Sequence, residues 1–127
     1  MDNSWHEKHA EQLLINSFSW MAGKIAAYAD EKGFWPKDQD GKDLRNFGEC
    51  IALIHSEASE WLEAARKGKG SEPSEHIPSF TAEEEEAADI IIRVLDLAAH
   101  RKLRIGAAII AKHAFNLTRP AKHGKKF

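Results

Sequence analysis

Hydrophobic residues recur along this chain at helical intervals and nowhere alternate as they would in a strand. From about Ser4 to Lys32 one stripe carries Leu14, Phe18, Met21, Ile25 and Tyr28, a spacing of three and four residues. Gly33 is placed to stop that helix, and Phe34-Trp35-Pro36 with the polar run KDQDGKD reads as a loop. A second helix is predicted from about Leu44 to Lys67, with Phe47, Ile51, Ile54, Ala58 and Leu62 as its apolar stripe and Gly68 and Gly70 ending it. Residues 71–80, with Pro73, Pro78 and no periodicity, form a connector. Thr81-x-x-Glu84 has the capping-box pattern that opens a third helix, carried by Ile90, Val94 and Leu97 to about His100. A break over Lys102 to Ile105 leads to a fourth helix from Gly106 to about Leu117, and Pro120 prevents its continuation. The expected fold is all-α, a four-helix bundle-like single domain over residues 1–127 with a basic tail at 120–127.

Composition agrees with one globular domain. The 127 residues are 43% hydrophobic and 30% charged, which allows a modest core and excludes a disordered chain. No apolar run approaches the roughly 20 residues that span a bilayer, and the N-terminal segment lacks a basic-then-apolar secretory pattern. The single cysteine, Cys50, cannot form an internal disulfide and reads as a packing residue. A cytoplasmic protein with no membrane association is therefore expected.

Charge changes the picture more. All 20 acids precede or include Asp96, whereas eight of the 18 lysines and arginines follow it. The body is thus about −10 and the end about +8, a division suited to holding cations in one place and phosphate oxygens in another.

Within the acidic body two pairs stand out, Glu57-x-x-Glu60 on the second helix and Glu86-x-x-Asp89 on the third. Residues three apart lie about 60° apart around a helix axis and roughly 4.5 Å along it, so each pair can aim both carboxylates at one point. If the two helices pack together, four hard oxygen ligands converge, as Mg²⁺ or Mn²⁺ requires. Glu60/Glu63, Glu72/Glu75 and Glu83/Glu86 share the spacing, and acidic helices usually offer only a solvated face. The choice rests on neighbours: Ala58, Trp61, Leu62, Ala64 and Ala65 flank the first pair, and Ala87, Ala88, Ile90, Ile91 and Ile92 the second. Carboxylates so flanked border a helix interface, where an unpaired charge is costly and a cation partner is favoured. Glu83 and Glu84 in the first helical turn read as capping residues, and Asp96, seven residues after Asp89, as a possible additional ligand. His6 and His9 are three apart, without the H-E-x-x-H spacing of zinc hydrolases, and no Gly-rich phosphate loop is present. Lys112, Asn116 and Arg119 share one face of the last helix and its exit, a set suited to a phosphate chain and a sugar or base edge. Trp35 and Trp61 are the candidates for stacking a base, and Lys122 for a further contact from the tail.

The segments NFGECIALIHSEASEWLEAARKG, EEEEAADIIIRVLDLAAHRK and AKHAFNLTRPAKHGKKF together resemble the MazG-like branch of the all-α nucleoside triphosphate pyrophosphohydrolases. That family pattern is Glu-x-x-Glu, a variable gap, Glu-x-x-Asp, then Lys-x-x-x-Asn-x-x-Arg, matched in order by Glu57/Glu60, Glu86/Asp89 and Lys112/Asn116/Arg119. The likeness covers residues 44–127, while Arg104, His113 and Phe115 depart from the usual residues at their places. It implies Mg²⁺-dependent hydrolysis of a nucleoside triphosphate between the α and β phosphates, with Mn²⁺ as a possible substitute. It further implies a homodimer or homotetramer with sites built partly at subunit interfaces. Glu57 or Glu60 would then orient the attacking water, and Lys112 and Arg119 would neutralise the leaving pyrophosphate. The competing reading is a non-catalytic helical interaction module whose basic C-terminal segment binds nucleic acid or a protein partner. Nucleic acid is the weaker expectation, because the bases lack interleaved aromatics and the acidic body repels DNA.

Overall fold

A computed structural model of the chain describes residues 4–126. Met1 to Asn3 and Phe127, which begin the N-terminal segment and end the basic tail, lie outside the described residues. The fold is all-helical: α1 (Ser4–Glu31), α2 (Phe47–Arg66), α3 (Ala82–Arg101) and α4 (Ile105–Leu117), with no strand among the described residues. A short 3-10 turn at Ala121–Gly124 follows. No described helix is long and apolar enough to cross a membrane.

The helix ends follow from local chemistry. Asn46, not Leu44, opens α2, because its side-chain oxygen accepts from the backbone N–H of Gly48 and Glu49. Thr81 and Glu84 form the expected reciprocal capping box at α3. Lys102 closes α3 in the left-handed conformation, φ 56°, which turns the chain within three residues into α4. That tight turn brings α4 down on α1 at Gly106, where an added Cβ would stand 3.2 Å from both Ile15 Cα and Phe18 Cβ.

α3 is the central element. It packs against α2 on one side and α1 on the other, and α4 lies on α1. The buried cluster is small: Ala29, Trp35, Cys50 and Leu97, with Phe47 and Ile54 against it. The second helix therefore buries a stripe offset from the predicted one. Cys50 and Glu57 are buried, and Phe47, Ile54 and Trp61 half-buried, whereas Ile51, Ala58 and Leu62 are exposed. On α1, Leu14, Met21 and Tyr28 of the predicted stripe remain exposed as well.

Trp35 fastens the α1–α2 loop to α3. Its ring is 4% exposed, stacks on His100 at 3.8 Å, carries the Arg45 guanidinium 4.8 Å from its centroid, and donates Nε1–H to Asp96 at 2.9 Å. His100 in turn places Nδ1 2.9 Å from the Asp96 carbonyl and Nε2 2.8 Å from Asp30 Oδ1. Both ring nitrogens meet acceptors, an arrangement that only the imidazolium satisfies fully. Burial pulls the His100 pKa down, but the Asp30 hydrogen bond, the Asp96 carbonyl and the charges of both carboxylates outweigh it and raise it. A raised folded pKa makes this contribution complete below the unfolded value and lost as pH rises through the folded one. The advantage of wild type over His100→Gln, read from urea midpoints, is expected to be about 1 kcal/mol on the acid side. It should shrink on the alkaline side, and a constant difference would show that the charge on His100 contributes nothing.

Candidate metal centre

The α2–α3 interface brings three of the four predicted acids together. One carboxylate oxygen from each of Glu57, Glu60 and Glu86 lies within 4.8 Å of the other two. Glu57 belongs to the buried face of α2, Glu60 sits one turn further toward solvent, and Glu86 faces them from α3. Asp89, half-buried one turn after Glu86, joins Glu57 in lining the adjoining cleft. Four neighbouring acids, Glu63, Glu83, Glu84 and Glu85, are occupied elsewhere. Glu63 pairs with Lys67, and Glu84 closes the capping box. Glu83, in the first turn of α3 as expected, also accepts from Trp61 Nε1 at 3.0 Å. Glu85 accepts from the buried Ser74 hydroxyl and lies 2.6 Å from His76 Nδ1, tying the α2–α3 connector to the start of α3.

Electrostatics in the cluster are unbalanced. Burial, then the charges of Glu60, Asp89, Glu57 and Glu85, raise the Glu86 pKa above its ordinary value. Asp89 is raised by burial and by Glu57 and Glu85, against the opposing charges of Arg93 and His76. Glu86 Oε2 is buried and has no hydrogen-bond partner among the described residues. Among the described residues, Arg93 is the one base bonded to any of the four acids: its Nε–H donates to Glu57 Oε1. Four carboxylates against one guanidinium leave room for a divalent cation, and an all-oxygen donor set suits Mg²⁺ or Mn²⁺.

Beside the cluster lies a cleft of about 350 Å³ between α1, the α1–α2 loop, α2 and α3. Glu57 and Asp89 line it together with two bases, Arg45 and Arg93, and two largely exposed aromatics, Tyr28 and Phe34. None of these last four was singled out as a site residue from the sequence. Arg93 carried a usable signal, being four residues after Asp89 and seven after Glu86 and hence on the same helix face.

The remaining expected residues separate. Trp35 has no free face for a base, being committed to His100, Arg45 and Asp96; its neighbour Phe34 is the aromatic that reaches the cleft. Trp61 is half-buried, donates Nε1–H to Glu83 and is not among the residues that line the cleft. Asp96 also lines the cleft; its Oδ2 is engaged by Trp35 Nε1 and lies 3.8 Å from Arg45, while Oδ1, 3.2 Å from His100 Nδ1, is buried without a hydrogen-bond partner among the described residues. Lys112 and Asn116 line a separate shallow groove along α4, and the Lys112 ammonium and Arg119 guanidinium lie 4.7 and 5.7 Å from the Phe115 ring. Lys122 is exposed in the 3-10 turn with φ 53°. One chain thus does not bring the basic set to the acids. No protein-family model, curated protein or solved structure matches the chain; the chemistry of the site is carried by its own residues.

Proposed function

We propose that the protein is a Mg²⁺-dependent nucleoside triphosphate pyrophosphohydrolase, acting in nucleotide-pool housecleaning or control. It cleaves the α–β phosphate bond to give a monophosphate and pyrophosphate. The observation that carries this reading is the convergence of Glu57, Glu60 and Glu86 from two helices, one of them with an orphaned buried oxygen, beside a cleft lined by arginines. The ordered match of the three family motifs supports it.

The donor set fits Mg²⁺, with Mn²⁺ as substitute, held by Glu57, Glu60 and Glu86, with Asp89 completing the set. When bound, the ion supplies withdrawal of charge from phosphate oxygens. Glu57 or Glu60 orients a water for in-line attack on the α-phosphorus and takes its proton. Arg45 and Arg93 line the cleft where phosphate oxygens lie, and Tyr28 and Phe34 offer π-faces to a base. Lys112, Asn116 and Arg119 serve the leaving pyrophosphate from a second copy of the chain. Self-association as a homodimer or homotetramer is supported by the many large apolar side chains one chain leaves exposed, among them Leu13, Trp20, Met21, Ile91 and Ile92.

The deciding experiment is a panel of canonical and modified ribo- and deoxyribonucleoside triphosphates with Mg²⁺, with both products measured. Equimolar monophosphate and pyrophosphate from at least one substrate is expected. Release of orthophosphate, or no turnover combined with DNA binding that disappears on removal of residues 120–127, would replace the proposal with another function.

A further inference from the structure

Arg93 makes one contact at this site that a role in binding phosphate does not explain. Its Nε–H is spent on Glu57, a carboxylate only 7% exposed, rather than being free for a substrate. No acceptor among the described residues takes its terminal amino groups, and about a third of the side chain remains accessible in the cleft. Glu57 is also one of the three carboxylates that converge with Glu60 and Glu86. The same carboxylate is therefore offered to a guanidinium and to a divalent cation.

We infer that Arg93 is a built-in counter-cation of the metal centre: it neutralises Glu57 when no metal is bound, and competes with the divalent cation for that carboxylate. This rests on the metal-centre reading above. A buried carboxylate without a partner destabilises a fold, so the metal-free protein needs this base. The same positive charge repels an incoming cation and must yield part of its hold on Glu57 as the ion enters. The site is thereby kept folded while empty, at the cost of weaker metal binding. Lysine at this position would keep the charge but not the fork geometry.

Mn²⁺ binding to the full chain, followed by electron paramagnetic resonance at neutral pH, tests the competition directly. Arg93→Gln is expected to bind Mn²⁺ about tenfold more tightly than wild type, as loss of a unit charge touching a ligand should cause. Its melting temperature in EDTA should fall, and Arg93→Lys should restore wild-type Mn²⁺ affinity more than wild-type stability. A purely structural role for Arg93 would lower the melting temperature without tightening Mn²⁺ binding, and that result overturns the inference. Should Arg93→Gln not fold, the wild-type protein still decides. The Arg93 ¹⁵Nε resonance, assigned through Arg93→Lys, is expected to shift on Mg²⁺ titration with the midpoint of metal binding; an unmoved resonance overturns the inference. Absence of any Mn²⁺ binding by wild type overturns the metal reading itself, and this inference with it.

Discussion

Glu60→Gln is expected to abolish Mg²⁺-dependent pyrophosphate release while leaving the helical fold intact. Glu60 is the exposed member of the carboxylate trio and makes no ion pair or side-chain hydrogen bond among the described residues. Glutamine preserves its volume and helix propensity, so no cavity or unpaired group arises. Removing its charge also relieves Glu86, whose ionisation Glu60 opposes. The variant should therefore be as stable as wild type in EDTA, or slightly more so. Activity should move the other way. Outer-shell partners of metal ligands already cost about 10–100-fold when removed, so loss of a ligand should cost more than about a hundredfold. Asp89→Asn should behave similarly, since Asp89 lines the cleft beside Glu57 and is itself destabilised by its acidic neighbours. Product assays run beside far-UV circular dichroism separate the two readouts. Full activity in both variants would sink the assignment of these carboxylates to a metal.

Glu57 is a different case, because its charge is used twice. Glu57→Gln removes a proposed ligand and also leaves Arg93 without its anionic partner. Its loss of function would carry a stability penalty that Glu60→Gln lacks, which makes Glu60 the cleaner probe.

The elements that were legible in the sequence are those set by local chemistry. The capping box at Thr81, the glycine after α1 and the proline after α4 each act within a turn, and the helices end within about three residues of where such signals put them. The acid pairs were legible for the same reason, since a three-residue spacing fixes a shared face whatever the tertiary structure. What could not be read depends on partners distant in the chain. Trp35 looks like an accessible loop aromatic until its indole N–H meets Asp96, 61 residues away. The buried stripe of α2 was misplaced because its centre is Glu57, which a hydrophobicity pattern counts as polar. Only the arrival of Arg93 from α3 shows why a glutamate lies at 7% exposure between Cys50, Ile54 and Trp61. A search confined to acids sees the ligands and misses the countercharge.

Metal addition should stabilise the protein strongly at neutral pH and much less in acid. Glu86 and Asp89 have raised pKa values in the folded chain, so the native state keeps their protons to higher pH than the unfolded state does. Where the native state binds more protons, stability falls as pH rises. The metal-free protein therefore loses stability as pH climbs from the ordinary carboxylate range through these raised values. His100 acts in the same direction, because its raised folded pKa gives a contribution that fades as pH rises. Mn²⁺ or Mg²⁺ reverses the carboxylate part, since coordination requires the ionised forms and releases the protons held there. At about a hundred times its dissociation constant a ligand of the native state adds about 2.7 kcal/mol, or about 10 °C in melting temperature for a domain of this size. That increment should be present near neutral pH and much smaller at an acid pH in the carboxylate range, where the protons that Glu86 and Asp89 hold more firmly in the folded chain oppose coordination. Glu60→Gln, which lacks one ligand, should show most of the increment removed at neutral pH, whereas His100→Gln should keep it. Differential scanning calorimetry with saturating Mn²⁺ and with EDTA at both pH values distinguishes the outcomes. An increment that is the same at both pH values would mean that the ion binds away from Glu86 and Asp89.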